Sequence, residues 1–168
     1  MFFDPLTRAG FVIALGSSAL LLTAIGFEHL GGLSPCELCE EQRWWHAGAI
    51  VYGVLVMFLG HHRLGGIAYG AALICLGMTA AFGFYHVGVE QGWWASACST
   101  GAPTHGSFAD IKAQLEAAPI VKCDEIAWSL LGLSMAAWNI LASAGVAVVS
   151  AAVLITAPRP PQALEVPA

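Results

Sequence analysis

The sequence predicts an all-α membrane protein, a bundle of four transmembrane helices with two cysteine-bearing loops. Of its 168 residues, 58% are hydrophobic and only 10% are charged, and the mean hydropathy is +0.73. Soluble domains carry a smaller apolar share and more charge. About 20 apolar residues suffice for a helix to cross a bilayer. Four stretches nearly free of charge predict spans at about 9–27, 44–60, 64–85 and 133–157.

The predicted spans are separated by connections of unequal length. The first span follows Arg8 like a secretion signal, but no small-residue cleavage site comes after it, so we expect it to be retained. A cysteine-rich stretch precedes the second span, and a tight "HHR" turn separates the second from the third. We expect residues 1–157 to form a single domain. The proline-rich residues 158–168 predict a disordered cytoplasmic tail.

The long connection before the fourth span contains "SFADIKAQLEAA". Ser107 and Asp110 fit a capping box, and Phe108, Ile111 and Leu115 form one apolar stripe on a helix. The stripe is too short to span a bilayer. We therefore expect a short helix that lies on the membrane surface or against the bundle.

Four cysteines lie in the two loops that a four-span topology places on one side of the membrane. Cys36 and Cys39 are in the first loop, and Cys98 and Cys123 are in the third. Cys75 lies inside the third span, where a buried apolar role is the simplest interpretation. Four loop cysteines are therefore expected to share one aqueous face.

Charge alone does not orient the chain, because Arg and Lys residues divide three against three between the two sides. Redox chemistry is more informative. Paired cysteines persist as disulfides in oxidising compartments and stay reduced in the cytosol. We therefore predict a bacterial inner-membrane protein whose cysteine loops face the periplasm.

The stretch "SPCELCEEQR" predicts the start of a helix with a reactive thiol. Ser34 fits an N-cap and Pro35 a first-turn proline, which places Cys36 in the first turn. The helix N-terminus favours a thiolate at Cys36, whereas Arg43, one turn beyond Cys39, favours one at Cys39. Arg43 is equally compatible with an interfacial arginine that reaches phospholipid head groups.

Three blocks together resemble the disulfide bond formation protein B family: "CELCEEQR" at 36–43, "YHVGVEQGWW" at 85–94 and "CDEIAWSLLGLSMAAWN" at 123–139. They follow one another in order across nearly the whole chain. Members of that family are four-helix inner-membrane enzymes that pass electrons from a periplasmic thioredoxin-like (DsbA-like) oxidase to a membrane quinone. The resemblance implies a thiol:quinone oxidoreductase that supports protein disulfide bond formation, with ubiquinone or menaquinone as acceptor.

The resemblance also implies roles for individual residues. Cys36 and Cys39 would form the quinone-proximal redox pair, and Cys98 and Cys123 the pair that meets the partner protein. Arg43 and His86 would contact the quinone. Two further expectations concern neighbours of these residues: we expect Glu90 to be a solvated loop carboxylate, and the tryptophans at 44, 45, 93 and 94 to be interfacial anchors.

Three other functions stay open on the sequence. The four loop cysteines would also suit a nonenzymatic zinc-binding membrane module, although only one close pair is present. Histidines on the helices would suit haem, but no two are obviously paired across neighbouring spans. The vitamin K epoxide reductase architecture shares a four-helix core but not the sequence blocks. No resident metal and no nucleic-acid partner are expected.

Overall fold

A computed structural model describes residues 4–60, 62–95, 98, 107 and 122–156 of the chain. Within these residues the regular secondary structure is helical apart from one minimal hairpin. The elements in chain order are α1 (Pro5–His29), α2 (Glu37–Leu59), α3 (Arg63–Glu90), β1 (Ser129–Leu130), β2 (Leu133–Ser134) and α4 (Met135–Thr156).

The four helices form a closed bundle in which each packs against the next, and α4 packs back against α1. The diagonal pair α1 and α3 makes little contact. Short connections at 30–36 and 60–62 join the first three helices, as expected for neighbours that run in opposite directions. Ile13, Val56 and Leu76 are among the fully buried side chains at the centre of this bundle.

Helices α1 and α2 approach each other through glycine. A Cβ atom on Gly53 would lie 2.9 Å from the backbone nitrogen of Ala14 and 3.0 Å from the carbonyl oxygen of Gly10. A Cβ on Gly10 would in turn lie 2.7 Å from the Val56 side chain. Small residues at such crossings let two backbones come close, which is typical of helices packed in a membrane.

Three of the described helices, α1, α3 and α4, are long and apolar enough to cross a membrane. Helix α2 has 23 residues, but its first two turns carry Glu37, Glu40, Glu41 and Arg43. The predicted all-helical bundle is therefore observed, and three of its four predicted spans have the necessary length and composition.

The boundaries differ from prediction near the third loop. Helix α3 continues to Glu90 rather than ending near residue 85. The fourth helix begins at Met135 because Leu133 and Ser134 pair with β1. The turn between the strands has positive φ at Leu131 (54°) and Gly132 (79°), as a two-residue type I′ hairpin requires. The predicted surface helix from residue 107 onward and the tail at 158–168 lie outside the described residues, apart from Ser107.

Candidate functional site

The N-terminus of α2 is capped by Cys36, so the prediction that Ser34 is the N-cap was wrong. Cys36 has the extended backbone of a cap residue (φ −85°, ψ 169°), and its sulfur accepts a hydrogen bond from the backbone N–H of Cys39 at 3.4 Å. A serine is the commoner choice because its oxygen is the stronger acceptor. Here the cap position holds the reactive sulfur directly at the positive end of the helix.

Cys36 and Cys39 are free thiols whose sulfur atoms lie 2.9 Å apart. The Cys36 thiol donates to the Cys39 sulfur, and this hydrogen bond, together with burial, raises the pKa of Cys36. The same bond, backed by the backbone of Cys36 and by the charge of Arg43, lowers the pKa of Cys39 to about 7. A thiolate is therefore favoured at Cys39 over Cys36, and the hydrogen bond between the two sulfurs contributes most to this difference.

The second cysteine pair lies beside the first. Cys98 and Cys123 are joined by a disulfide, and the Cys123 side chain is fully buried. The Cys36 sulfur, the Cys123 sulfur and a ring nitrogen of His86 all lie within 4.8 Å of one another. The structure thus brings all four predicted redox cysteines to one end of the bundle, with Cys36 and Cys123 at their junction.

His86 lies on the last turns of α3 and faces the first pair. Its Nε2 is 3.6 Å from the Cys36 sulfur and 3.8 Å from a carboxylate oxygen of Glu90. Both side chains are almost fully buried, at 6% and 5% exposure. The expectation that Glu90 is a solvated loop carboxylate was therefore wrong. Helix α3 extends one further turn and places Glu90 one turn after His86, on the same face of the helix.

A buried row of polar side chains leads from His86 into the bundle. Gln42 Nε2 donates to His86 Nδ1 at 3.3 Å, and Gln42 Oε1 accepts from Asn139 Nδ2 at 2.8 Å. Asn139 Oδ1 lies 2.8 Å from His46 Nε2. The row therefore joins α2, α3 and α4 at the depth of the first turns of α2.

Two backbone carbonyls fix the orientation of the side-chain amides in this row, and so determine which groups donate and which accept. Gln42 Nε2 also donates to the carbonyl of Leu38 at 2.9 Å, and Asn139 Nδ2 donates to the carbonyl of Thr79 at 3.2 Å. Since a carbonyl can only accept, neither amide can be turned round without placing oxygen against oxygen. Neutral His86 is accordingly held with its proton on Nε2, toward Cys36, because Nδ1 already accepts from Gln42.

A cavity of about 250 Å³ opens beside Cys39. Its polar lining is formed by Thr23 of α1, by Ser34 before α2 and by Cys39, Gln42, Arg43, His46 and His86, and Asn139 adds to it from α4. The remaining walls are largely apolar and come from α1, the connection before α2, the hairpin region and α4: Leu20, Leu21, Ala24, Phe27, Leu33, Pro35, Ala127, Trp128, Met135, Ala136, Trp138 and Ala142. Apolar walls with a few convergent polar groups are typical of a small-molecule site.

Arg43 lines this cavity, and its side chain is bound by two residues of α1. Its guanidinium pairs with the carboxylate of Glu28 and donates to the carbonyl of Ala24 at 3.0 Å. The arginine therefore has a protein partner on α1, one that the sequence interpretation did not include. Its Nε is buried and has no hydrogen-bond partner among the described residues.

Sequence reasoning missed several polar residues of the site: Gln42, His46, Asn139 and Glu28. A usable signal was present for His46 and Asn139, since each interrupts an apolar run, and polar groups inside spans are costly without a function. The four tryptophans predicted as anchors are not part of the cavity lining; Trp128 and Trp138 are. Trp44 is 74% exposed, as an anchor would be.

Comparison with known proteins identifies the family. The family described as "Disulfide bond formation protein DsbB" matches residues 7–153. The chain belongs to the DsbB family. Its curated relatives named disulfide bond formation protein B include one from Stutzerimonas stutzeri, 30% identical over 84% of this chain and 91% of that protein. Another from Marinobacter nauticus is 31% identical over 76% of this chain and 79% of that protein. No solved structure matches the chain.

Membership of the DsbB family makes this a membrane protein of disulfide bond formation, and a thiol oxidoreductase. The zinc-binding alternative is not favoured by the site. Cys36, His86 and Cys123 lie close enough to share a metal ion. A cysteine binds zinc as a thiolate, however, and the Cys123 sulfur is bonded to Cys98. The close approach of the two cysteine pairs instead suits thiol–disulfide exchange.

Proposed function

We propose that this DsbB-family protein reoxidises a periplasmic thioredoxin-like oxidase of the DsbA kind and passes the electrons to a membrane quinone, ubiquinone or menaquinone. One observation carries the proposal. The two cysteine pairs meet at Cys36 and Cys123, while Cys39, the other member of the inner pair, lines an apolar cavity. Electrons can therefore enter from one side of the inner pair and leave from the other.

The residues around the cavity fit a quinone. A quinone ring is flat and apolar and carries two carbonyl oxygens that accept hydrogen bonds. The cavity has largely apolar walls, two tryptophans among them, and one buried donor, Arg43 Nε, without a protein partner in the described chain. When bound, the quinone would supply an acceptor for two electrons and two protons. Such an acceptor is needed because ordinary protein disulfides cannot reoxidise a strongly oxidising partner.

The outer pair receives the electrons from the partner. A thiolate of the reduced partner attacks Cys98, the Cys98–Cys123 bond breaks, and a mixed disulfide forms while Cys123 leaves as a thiolate. Cys123 lies beside Cys36 and attacks it when the inner pair is oxidised. The Cys36–Cys39 bond then breaks, a Cys123–Cys36 bond forms, and Cys39 leaves as a thiolate.

Resolution of the two mixed disulfides completes the transfer. The second thiol of the partner attacks the mixed disulfide, which releases the oxidised partner and a Cys98 thiolate. Cys98 attacks Cys123, restores the outer disulfide and frees Cys36. The described protein has this arrangement, with the outer pair joined and the inner pair as free thiols.

Residues around the inner pair prepare it to give up its electrons. The Cys39 thiolate faces the cavity, stabilised by the Cys36 thiol and by Arg43 one turn away. His86 lies 3.6 Å from Cys36 and also lines the cavity; with its proton on Nε2, it is placed to donate to the Cys36 sulfur and to stabilise the negative charge there when Cys36 is released. Arg43 offers positive charge where negative charge develops.

The same proposal places the site relative to the membrane. We infer that α2 is the fourth span, because it packs against both α1 and α3 over its length. The cysteine-bearing end of the bundle then faces the periplasm, where disulfides persist. With four spans, the first and third loops emerge on the same side of the membrane. These loops carry the two cysteine pairs, so both pairs lie at the periplasmic end.

The experiment is a reconstituted assay of quinone reduction. The purified full-length protein in lipid receives reduced DsbA-like protein as donor and ubiquinone or menaquinone as acceptor, and quinone absorbance is followed. We expect turnover in the wild type and none with Cys39→Ser, since no thiolate then faces the cavity.

Cys75→Ala is the matched control. Cys75 is a third free cysteine, buried in the core between α2 and α3 and not part of the cavity lining. Its replacement should leave turnover nearly intact. Unchanged turnover with Cys39→Ser, or no electron transfer from any thioredoxin-like donor to either quinone, would overturn the proposed function.

A further inference from the structure

Two residues that line the cavity each contain a buried polar atom with no hydrogen-bond partner among the residues that the structure describes. One is Nε of Arg43 and the other is Nδ1 of His46. The His46 side chain is 96% buried, since its exposure is 4%. Buried polar groups are nearly always paired, so an unpaired one that lines a cavity calls for a ligand.

The two atoms have opposite hydrogen-bonding character. Arg43 Nε always carries a proton and can only donate. His46 Nε2 faces Asn139 Oδ1, whose orientation is fixed because Asn139 Nδ2 donates to the Thr79 carbonyl. Neutral His46 therefore keeps its proton on Nε2 and presents a lone pair at Nδ1. These two unpaired atoms would therefore give a ligand one donor and one acceptor.

We propose that His46 is a second ligand-binding residue of this cavity, which accepts a hydrogen bond from a ring hydroxyl of the reduced quinone. This inference rests on the proposed function. A quinone carbonyl has no proton to give to Nδ1, whereas the hydroxyl of the quinol has one. Arg43 serves both forms, because carbonyl and hydroxyl oxygens both accept. His46 therefore discriminates between them in favour of the quinol.

The spacing along α2 supports simultaneous contact. Cys39, Arg43 and His46 are at positions i, i+4 and i+7, which lie on one face of a helix. Seven residues rise about 10.5 Å along the axis at 1.5 Å per residue. A ring beside Cys39 and Arg43 can thus direct a substituent away from the cysteines toward His46.

Tighter binding of the reduced form has a chemical consequence. It makes transfer of electrons from the inner pair more favourable, since the product is stabilised within the site. It also slows release of the quinol. Asn139 acts as a positioning residue here, because it touches His46 and fixes which nitrogen carries the proton.

The test is equilibrium binding rather than turnover. The full-length protein, with its cysteine pairs oxidised beforehand, is titrated anaerobically with a short-chain ubiquinone and, separately, with its quinol. Quenching of tryptophan fluorescence reports binding, because Trp128 and Trp138 line the cavity. His46→Leu should weaken quinol binding roughly three- to tenfold, the effect of one neutral hydrogen bond. Quinone affinity should change less than twofold.

Two further variants control for packing and for histidine content. His46→Gln retains an acceptor and should recover part of the quinol affinity. His29→Leu replaces an exposed histidine outside the cavity lining and should change neither affinity. Equal weakening of both forms by His46→Leu, or no weakening of either, would overturn the inference and leave the proposed function standing. A wild type that binds neither form would overturn both.

Discussion

The two halves of α2 differ in what they pack against and in what that packing does. Residues of the first half, Gln42 and His46, are buried polar groups that join α3 and α4 through Asn139. The second half is largely apolar, and its glycine, Gly53, lets α1 approach to backbone contact. One half of the helix builds the site and the other holds the bundle together.

This difference explains why α2 is the least apolar of the four helices. A polar group buried without partners is costly in a membrane, so the first half is stable only because each of its amides and rings is paired across the bundle. The exceptions are the atoms that line the cavity, Arg43 Nε and His46 Nδ1. The close packing of the second half against α1 contributes instead to the stability of the bundle.

Among substitutions that leave the cysteines in place, the largest effect on quinone binding is expected from removing the positive charge of Arg43 in the first half of α2. Arg43→Ala should raise the Michaelis constant for quinone about 10- to 100-fold, since hydrogen bonds from a charged donor contribute about 1.5–3 kcal/mol. It should also raise the pKa of Cys39 above its present value of about 7, because the charge of Arg43 helps to lower it. Cys39 is a thiolate above that pH. Its alkylation rate in the wild type should fall as the pH drops through about 7, and in Arg43→Ala this fall should begin at higher pH.

Arg43→Lys sharpens the same measurement. Lysine retains a positive charge near Cys39 but lacks Nε and the planar guanidinium group. Compared with Arg43→Ala, it should therefore bring the pKa of Cys39 closer to the wild-type value than it brings the quinone affinity. Should neither quinone kinetics nor thiol alkylation respond to Arg43→Ala, Arg43 would be a lipid anchor, and the ligand contacts would have to be assigned to His86 and His46.

A substitution in the second half of α2 is expected to reduce the stability of the fold rather than quinone binding. Gly53→Val places a side chain against the backbone of Gly10 and Ala14, which cannot move aside, and should lower the free energy of unfolding by about 1–3 kcal/mol. Thermal unfolding in detergent measures this. The surviving folded protein should keep a normal Michaelis constant for quinone. Gly77→Ala is the control, since a Cβ there would meet nothing within 4 Å.

Much of the fold followed from composition and hydrophobic length. The helices that became α1, α3 and α4 carry long apolar runs, and their existence needs no tertiary information. The ends of helices depended on tertiary contacts. Helix α3 extends to Glu90 because His86 and Glu90 are buried against the cysteine pairs, and the short hairpin before α4 depends on the turn at Leu131 and Gly132.

The site was predictable where residues act through sequence spacing and not where they meet across helices. Cys39 and Arg43 are one turn apart, so their relation could be inferred from the sequence alone. The meeting of Cys36 with Cys123, and of Arg43 with Glu28, depends on how distant segments pack. Asn139 could be suspected as a polar residue in a span, but its partner His46 lies 93 positions away.

The smallest effect is expected from the carboxylate that holds Arg43. Glu28→Gln removes the negative charge paired with the guanidinium while keeping a side chain of the same shape. Arg43 then exerts more of its positive field on Cys39 and on a quinone carbonyl, so the pKa of Cys39 should fall further and the Michaelis constant for quinone should decrease about two- to fivefold. The size follows from the modest value of a partly exposed ion pair, about 0.2–1 kcal/mol. Glu125→Gln breaks the exposed pair with Lys122 outside the cavity lining and should leave both quantities unchanged. An increased Michaelis constant in Glu28→Gln would show instead that Glu28 holds Arg43 in the orientation that binds the ligand.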